Sequence, residues 1–176
     1  MVRVNRDTAS AEDQIVVCVE IPRGSRNKYE YDRELDAIVL DRRLFTSTVY
    51  PADYGFVEGT AGGDGDPLDA LVLVGDPTFP GCRIRGRAVA LFRMVDEKGP
   101  DDKLVCVPLR DPLWSPVCDV GDIPEAFRAE IEQFFKVYKE LEGLPTRTAG
   151  FGDRAEALRV LDEARAVYGG ARSLTT

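Results

Sequence analysis

Short apolar runs alternate with turn-forming residues over the first two thirds of the chain. Residues 15–21, IVVCVEI, form a continuous β-branched run that ends at Pro22 and is typical of a buried strand. Residues 28–40 consist of two strand-like segments around the polar turn DREL, which predicts a hairpin. The same kind of apolar run predicts three more strands, at 70–74, 87–95 and 103–108.

The apolar spacing changes to that of a helix after residue 108. Apolar side chains recur every three or four positions between Phe127 and Leu141, which predicts an amphipathic helix that ends at Gly143. Residues 122–125, DIPE, have the features of its N-cap region, with a proline near the first helical position.

A second helix is predicted over residues 153–168, closing at the glycine pair 169–170. Residues 150–155, GFGDRA, match the G-x-G-x-x-A pattern of dinucleotide-binding turns. That pattern requires a preceding strand, and LPTRTA at 144–149 is not predicted to be one. We therefore interpret GFGDRA as the turn that begins the helix.

The order of the elements, strands first and then two helices, favours an α+β fold with a mostly antiparallel sheet or a small barrel. Tight turns between successive strands suit a closed barrel better than an open parallel sheet. We expect residues 1–176 to form a single domain, with its core at about 15–168.

The composition indicates a folded protein without a large basic surface. Apolar residues make up 44% of the chain and charged residues 31%, with a net charge of −8. This charge argues against binding to nucleic acid or to an anionic membrane, because both attract positive fields. The first residues contain no signal-peptide core, and no apolar run approaches the roughly 20 residues that span a bilayer. These features predict a cytoplasmic protein.

The chain contains no histidine, which narrows its chemistry. Ser-His-Asp and Cys-His catalysis and histidine-ligated zinc are excluded. Acid–base chemistry must therefore come from carboxylates, Lys, Tyr or water on a metal. The four cysteines form no C-x-x-C pair and are interpreted as buried reduced thiols: Cys18, Cys82, Cys106 and Cys118.

The strongest local signal is DGDPLD at 64–69. It lies inside residues 50–69, a stretch that is predicted to be turn-rich because it contains several prolines and glycines, Gly55 among them. Its three carboxylates repel one another, and a divalent cation would compensate that repulsion. Oxygen ligands without His or Cys favour Mg²⁺ or Mn²⁺. A solvated acidic turn is the alternative, and for an arbitrary Asp-rich loop it is the more frequent one.

Two further groups gain meaning only if the fold places them beside this loop. The acidic group at 96–102 is by itself an ordinary polar loop, but next to DGDPLD it would complete a site for more than one Mg²⁺. A basic and phenolic group can bind phosphate oxygens. Each of its members, taken alone, fits a surface or core-edge position better: Lys28, Arg42, Arg43, Tyr50, Tyr54, Tyr138 and Lys139.

Taken together, these segments resemble the soluble family I inorganic pyrophosphatases of the bacterial type. Order and approximate spacing agree over about residues 15–168, and agreement of several segments is more specific than any one motif. Besides DGDPLD, the matching segments include EIP at 20–22, KYE at 28–30, YPADYGF at 50–56, MVDEKGPDDKLVCVP at 94–108 and FFKVYKELE at 134–142. The resemblance implies an OB-like five-stranded antiparallel β-barrel flanked by two main helices near the C-terminus. It also implies Mg²⁺-dependent hydrolysis of pyrophosphate to two orthophosphates by a metal-activated water.

The resemblance further implies roles for individual residues. Asp66 is similar to the general base that deprotonates the attacking water. The implied metal ligands are Asp64, Asp69 and Asp101, with Asp96 and Glu30 for further metals. The implied substrate-binding residues are Lys28, Arg42, Tyr54, Lys103, Tyr138 and Lys139, and Glu20 and Tyr50 are implied to lie just outside them. Several Mg²⁺ ions per site, Mn²⁺ as a substitute and a homohexamer are implied as well.

Two alternatives stay open at this point. Arg42 is preferred to Arg43 because it directly follows Asp41, as in the family, yet Arg43 could share its role. The competing function is a catalytically silent OB-type module that binds single-stranded nucleic acid or phosphorylated ligands. The net charge and the carboxylate set argue against this module, because a binder of polyanions gains nothing from those carboxylates without a metal.

Overall fold

The computed structural model describes residues 13–63 and 65–173 of the chain. Within these residues the strands are β1 (Gln14–Ile21), β2 (Asn27–Asp32), β3 (Ala37–Arg43), β4 (Asp53–Val57), β5 (Asp69–Val72), β6 (Arg83–Asp96), β7 (Gly99–Pro100), β8 (Lys103–Pro108) and β9 (Arg147–Gly152). The helices are α1 (Glu125–Val137) and α2 (Arg154–Ser173), with short 3₁₀ turns at Val120–Asp122 and Glu140–Glu142.

Five strands close into a barrel in the order β1-β4-β5-β8-β6, with β6 returning to pair with β1. The predicted five-stranded barrel is therefore confirmed, but it is mixed rather than wholly antiparallel, because β5 and β8 run parallel. A closed ring of five strands cannot alternate direction all the way round, since five is odd. Outside the ring, β7 and β9 extend the sheet beside β6, and β2 pairs with β3 in the predicted hairpin.

Strand β4 lies in a stretch that the sequence predicted only as turn-rich. It pairs with β1, where Val19 faces Gly55. A Cβ atom at Gly55 would lie 1.9 Å from the carbonyl oxygen of Cys18, so the two backbones approach too closely for any side chain. Gly55 is thus a strand residue and not part of a turn, and its missing side chain permits the close packing of β4 on β1.

Strand β9 was also missed, and the prediction that no strand precedes the second helix was wrong. Residues 147–152 pair with the far end of β6, where Leu91 faces Gly152. Strand β1 pairs with β6 only over residues 83–87, so the rest of that edge of the 14-residue β6 offers unpaired backbone groups beyond the barrel. Pairing supplied by a distant strand leaves little local signal, which explains the error.

Both helices differ from their predicted bounds. The side chain of Asp122 belongs to a capping box with Asp119 around the 3₁₀ turn, and Pro124 occupies the N-cap position of α1. Helix α1 ends at Val137, and a separate 3₁₀ turn precedes Gly143, whose φ is 74°. Helix α2 continues through the glycine pair to Ser173, beyond its predicted end.

The four cysteines are free thiols, as predicted, but they are not equally buried. Cys18 and Cys106 are buried, Cys82 is half-buried and Cys118 is exposed. The prediction of burial is therefore wrong for Cys118, which lies in the loop between β8 and α1.

Two apolar clusters lie on opposite faces of the barrel wall, because successive strand residues point to opposite sides. On β5 and β8, Leu71 and Val105 belong to the first cluster, and Val72 and Leu104 belong to the second. Helix α1 packs on the first cluster through Ile131, Phe134 and Phe135. Helix α2 packs on the second through Ala157 and Leu161, so each helix covers a different face. No helix among the described residues is long and apolar enough to cross a membrane.

We expect Gly55→Ala to destabilise the barrel, because the new methyl group would meet the β1 backbone. Overpacking of this kind typically costs about 1–3 kcal/mol, and a clash with backbone cannot be relieved by a side-chain rotation. Urea unfolding should show the loss. Gly121→Ala is the matched control, since its Cβ would have no neighbour within 4 Å. An equal free energy of unfolding in the two variants would contradict the inference that Gly55 is needed for close packing of β4 on β1.

Candidate active site

An open pocket of about 890 Å³ lies between the β2–β3 hairpin, the loop before β5, the β6–β8 connection and the end of α1. This volume suits a small ligand together with ions and water. Most of the predicted site residues line it: Glu20, Lys28, Glu30, Tyr50, Tyr54, Asp66, Asp69, Asp96, Asp101, Tyr138 and Lys139. The fold thus brings together residues that are far apart in the sequence.

Three of the predicted residues do not line the pocket or cannot be placed. Asp64 lies outside the described residues. Lys103 lies beneath the pocket, with only 1% of its side chain exposed. Arg42 binds the carboxylates of Asp41 and Glu142, at 2.6 Å and 2.8 Å.

The buried ammonium of Lys103 holds two of the predicted metal ligands. Its Nζ lies 2.8 Å from Oδ2 of Asp69 and 2.9 Å from Oδ1 of Asp101. Burial opposes the charged form, but the two carboxylates outweigh that effect and raise the pKa of Lys103 to about 12. Burial raises the pKa of Asp101, an effect that Lys103 only partly offsets. The hydroxyl of Tyr54 also donates to Oδ2 of Asp69.

Parallel pairing places these groups side by side. In the register of β5 and β8, Ala70 faces Leu104, so Asp69 and Lys103 each precede a paired position. Asp101 comes from the short loop in front of β8, and its amide donates to the carbonyl of Met94 at 2.9 Å. The site is therefore built on strand ends, where side-chain positions are well defined.

A second lysine holds a second pair of carboxylates. The Nζ of Lys139 lies 3.1 Å from Asp96 and 3.2 Å from Glu97. Burial alone would raise the pKa of Asp96, but hydrogen bonds from the Lys98 amide and from Lys139 lower it. Burial opposes the charge on Lys139, whereas Tyr138, Asp96 and Glu97 raise its pKa.

The hairpin carries a third charged group. Lys28 binds Glu30 and also lies 3.3 Å from Asp41, which in turn accepts from Arg42 at 2.6 Å. Burial opposes ionisation of Asp41, yet hydrogen bonds from Arg42 and Lys28 lower its pKa. Asp41 therefore joins two of the predicted substrate-binding cations.

Glu20 and Tyr50 support the pocket from within. The carboxylate of Glu20 accepts from the amide of Tyr31 at 2.8 Å, which ties the hairpin to β1. Burial raises the pKa of Glu20 to about 7. Tyr50 packs between Tyr54 and Phe134, with ring centroids 5.5 Å and 4.7 Å away. Burial raises the pKa of Tyr50 and of Tyr54 well above the ordinary value, so both stay neutral donors at physiological pH.

The predicted base, Asp66, lies at the mouth of the pocket with 75% of its side chain exposed. Its Oδ1 accepts from Arg33, on the hairpin turn, at 3.1 Å.

The sequence reasoning missed several partners of the predicted residues, namely Arg33, Asp41, Glu97 and Glu142. Glu97 stands in the acidic group that had been recognised, and Asp41 directly precedes Arg42, so adjacency was an available signal for both. Glu142 lies 100 residues from Arg42, and Arg33 lies 33 residues from Asp66. Only the folded chain reveals those two contacts.

The donor set fits a divalent cation that prefers oxygen. Asp69, Asp96, Asp101 and Glu30 supply carboxylate oxygens to one pocket. Within residues 13–63 and 65–173, no three acidic or cysteine side chains form a ready-made cage for one ion. Mg²⁺ does not require such a cage, because it keeps several waters and binds through one or two carboxylates plus phosphate oxygens. The pocket offers such a coordination, because pairs of carboxylates lie beside a space that can hold an anion.

Comparisons with known proteins agree with this chemistry. A family profile described as inorganic pyrophosphatase matches residues 17–169. The inorganic pyrophosphatase of Streptomyces coelicolor is 59% identical over 142 residues, which cover 80% of this chain and 87% of the relative. That of Methanosarcina mazei is 50% identical over 152 residues, covering 86% and 90%. The crystal structure of inorganic pyrophosphatase from Thermus thermophilus superimposes with a TM-score of 0.88 at 43% identity, covering 92% of this chain and 94% of that one.

We expect Lys103→Met to destabilise the protein in metal-free buffer, because Asp69 and Asp101 would face each other without the ammonium between them. Breaking a fully buried pair costs about 3–5 kcal/mol, and solvent screening should reduce this to roughly 2 kcal/mol, since both carboxylates are 31% exposed. Lys136→Met is the control, because this half-exposed lysine binds Glu132 on the same helix face. Similar urea midpoints for the two variants would contradict the role of Lys103.

We expect Glu20→Gln to gain stability relative to the wild type as the pH rises from about 5 to 7 in EDTA. The pKa of Glu20 is about 7 in the folded chain against 4.5 ordinarily, so in this window the folded chain keeps a proton that the unfolded chain has released. Wild-type stability therefore falls across the window, whereas the neutral amide carries no such penalty and keeps an oxygen for the Tyr31 amide. Parallel curves of melting temperature against pH would refute this.

Proposed function

Since this chain belongs to the inorganic pyrophosphatase family, we propose that it hydrolyses pyrophosphate to two orthophosphates with Mg²⁺ as its divalent cation and a carboxylate as its general base. The observation that carries the proposal is one pocket in which carboxylate pairs alternate with lysine and arginine cations. A polyanion and its counter-cations need both kinds of group in the same place.

Asp64, Asp69 and Asp101 would hold the cations, with Asp96 and Glu30 as ligands of further ones. When bound, the cations neutralise phosphate charge and lower the pKa of water. Mn²⁺, which accepts the same oxygen donors, is expected to substitute for Mg²⁺. The lysines bound to Asp69, Asp101 and Asp96 offset the negative charge of these side chains when no cation is present.

Asp66 takes the proton from the attacking water. Its position at the exposed mouth of the pocket lets water reach the carboxylate oxygens. An ionised carboxylate accepts hydrogen bonds only, so it can orient the water before it removes the proton. The released proton passes to Asp66 and then to solvent.

Cations and phenols in the pocket and beside it bind and orient the phosphate oxygens. Lys28, Arg42 and Lys139 are each paired with carboxylates, which holds them in place before substrate binds. Tyr138 stays a neutral donor because burial raises its pKa. Lys103 and Tyr54 act indirectly, because both donate to Asp69 and hold it in place. Tyr50 packs against Tyr54, and Glu20 holds the hairpin through the Tyr31 amide. Positive charge around the leaving phosphate stabilises the transition state.

Location and assembly form part of the same proposal. We propose that residues 1–176 form a single domain that works in the cytoplasm as a homohexamer, without nucleic-acid or membrane partners. The net charge of −8 supports the lack of nucleic-acid binding. The hexamer rests on the family resemblance.

The first test is phosphate release from pyrophosphate by purified protein, with Mg²⁺ and again with excess EDTA. We expect rapid release that EDTA abolishes. Asp66→Asn should then lower kcat by roughly two to four orders of magnitude, because the amide cannot accept the proton.

Asp162→Asn is the matched control for this substitution. Asp162 is exposed to the same degree as Asp66, 76% against 75%, and lies on α2 beside Arg165. Its variant should keep wild-type turnover. Equal turnover of the two variants would remove the role of Asp66, and no release by folded wild-type protein would remove the function itself.

A further inference from the structure

The loop between β4 and β5, residues 58–68, carries Asp66, and something must hold it in place. The contact of Asp66 with Arg33 is unsuited to this task, because both side chains are largely exposed. Exposed ion pairs contribute little, since water screens them and two long side chains lose freedom. The position of Asp66 also depends on how the loop backbone is held.

Thr60 is the buried polar side chain of this loop among its described residues, with 2% of its surface exposed. Its Oγ1 donates to the carbonyl oxygen of Val57 at 2.7 Å. The same oxygen accepts from the amide of Leu68 at 3.0 Å. Val57 ends β4 and Leu68 immediately precedes β5, so one hydroxyl joins the two ends of the loop.

Backbone contacts extend this link toward Asp66. The amide of Ala61 donates to the carbonyl of Ala164 on α2 at 3.0 Å. The amide of Gly62 donates to the carbonyl of Asp66 itself at 2.6 Å. Residues 60 to 62 thus connect the barrel and α2 directly to the backbone of the base.

We propose that Thr60 is a positioning residue for pyrophosphate hydrolysis, which acts through this loop on Asp66. The proposal rests on the proposed function, in which Asp66 is the general base. Without the hydroxyl, the Leu68 amide loses its partner in a partly buried place, and we expect the loop to shift so that this amide finds another acceptor. The substrate cations Lys28, Arg42 and Lys139 lie on other elements, so substrate binding should change much less than the proton transfer.

The test compares two substitutions that separate the hydroxyl from the methyl group. Thr60→Val keeps the shape and removes the hydroxyl, whereas Thr60→Ser keeps the hydroxyl and removes the methyl. At saturating Mg²⁺, determined for each variant, we expect the valine variant to lose roughly 10- to 100-fold in kcat, because a displacement of about 1 Å can cost about 100-fold. Its KM for pyrophosphate should stay within about threefold, as should both constants of the serine variant.

Amide hydrogen exchange supplies a readout that does not depend on activity. The amides of residues 57–68 should exchange faster in the valine variant than in the wild type or the serine variant. Thr78→Val is the matched control, because the Thr78 hydroxyl holds a different loop, through Asp53, outside the pocket. This control should keep wild-type kcat and wild-type exchange in 57–68. If the valine variant does not fold, Thr60→Ala against Thr60→Ser isolates the hydroxyl instead.

The results that would overturn the role of Thr60 differ from the result that would remove the proposed function. Unchanged kcat in a folded variant without the hydroxyl overturns the proposal, whatever the exchange shows. It is also overturned if serine fails to rescue kcat, or if the exchange of 57–68 is unaffected. Wild-type protein that releases no phosphate removes the proposed function, whereas the exchange data still report whether Thr60 holds the loop, so the two failures are distinguishable.

Discussion

The buried ammonium of Lys103 is the contact on which the candidate site depends. It lies between Asp69 and Asp101, whose like charges would otherwise repel one another in a poorly solvated place. The contact follows from the parallel pairing of β5 and β8, and a five-stranded closed barrel requires at least one parallel pair. The topology of the barrel therefore brings together the charges that balance one another in the candidate site.

The same principle recurs around the pocket. Lys139 lies between Asp96 and Glu97, and Asp41 lies between Lys28 and Arg42. In each group the opposite formal charges cancel to within one unit before any ligand is present, which lets an acidic protein keep cations ready for a polyanion. In the proposed function, phosphate oxygens and divalent cations take over part of this pairing.

Local sequence and tertiary pairing disagree most clearly at two strands. Gly55 predicts a turn in the sequence, but in the fold its missing side chain allows β4 to approach β1. Residues 147–152 form β9 because the far end of β6 offers unpaired backbone groups, a cause that lies more than 50 residues away. Helix α2 also continues through two glycines to Ser173, beyond the end that their low helix propensity predicts.

The sequence by itself determined the kind of chemistry and the family resemblance. It also determined both helices and four of the five barrel strands, namely β1, β5, β6 and β8. These conclusions follow from residue types and from local periodicity, which the folded chain does not alter. Only the tertiary structure decided which charges meet: Lys103 with Asp69, Arg42 with Glu142 and Arg33 with Asp66. Partners separated by 33 to 100 residues leave no periodic signal, because barrel closure and helix docking, not spacing along the chain, set the distance between them.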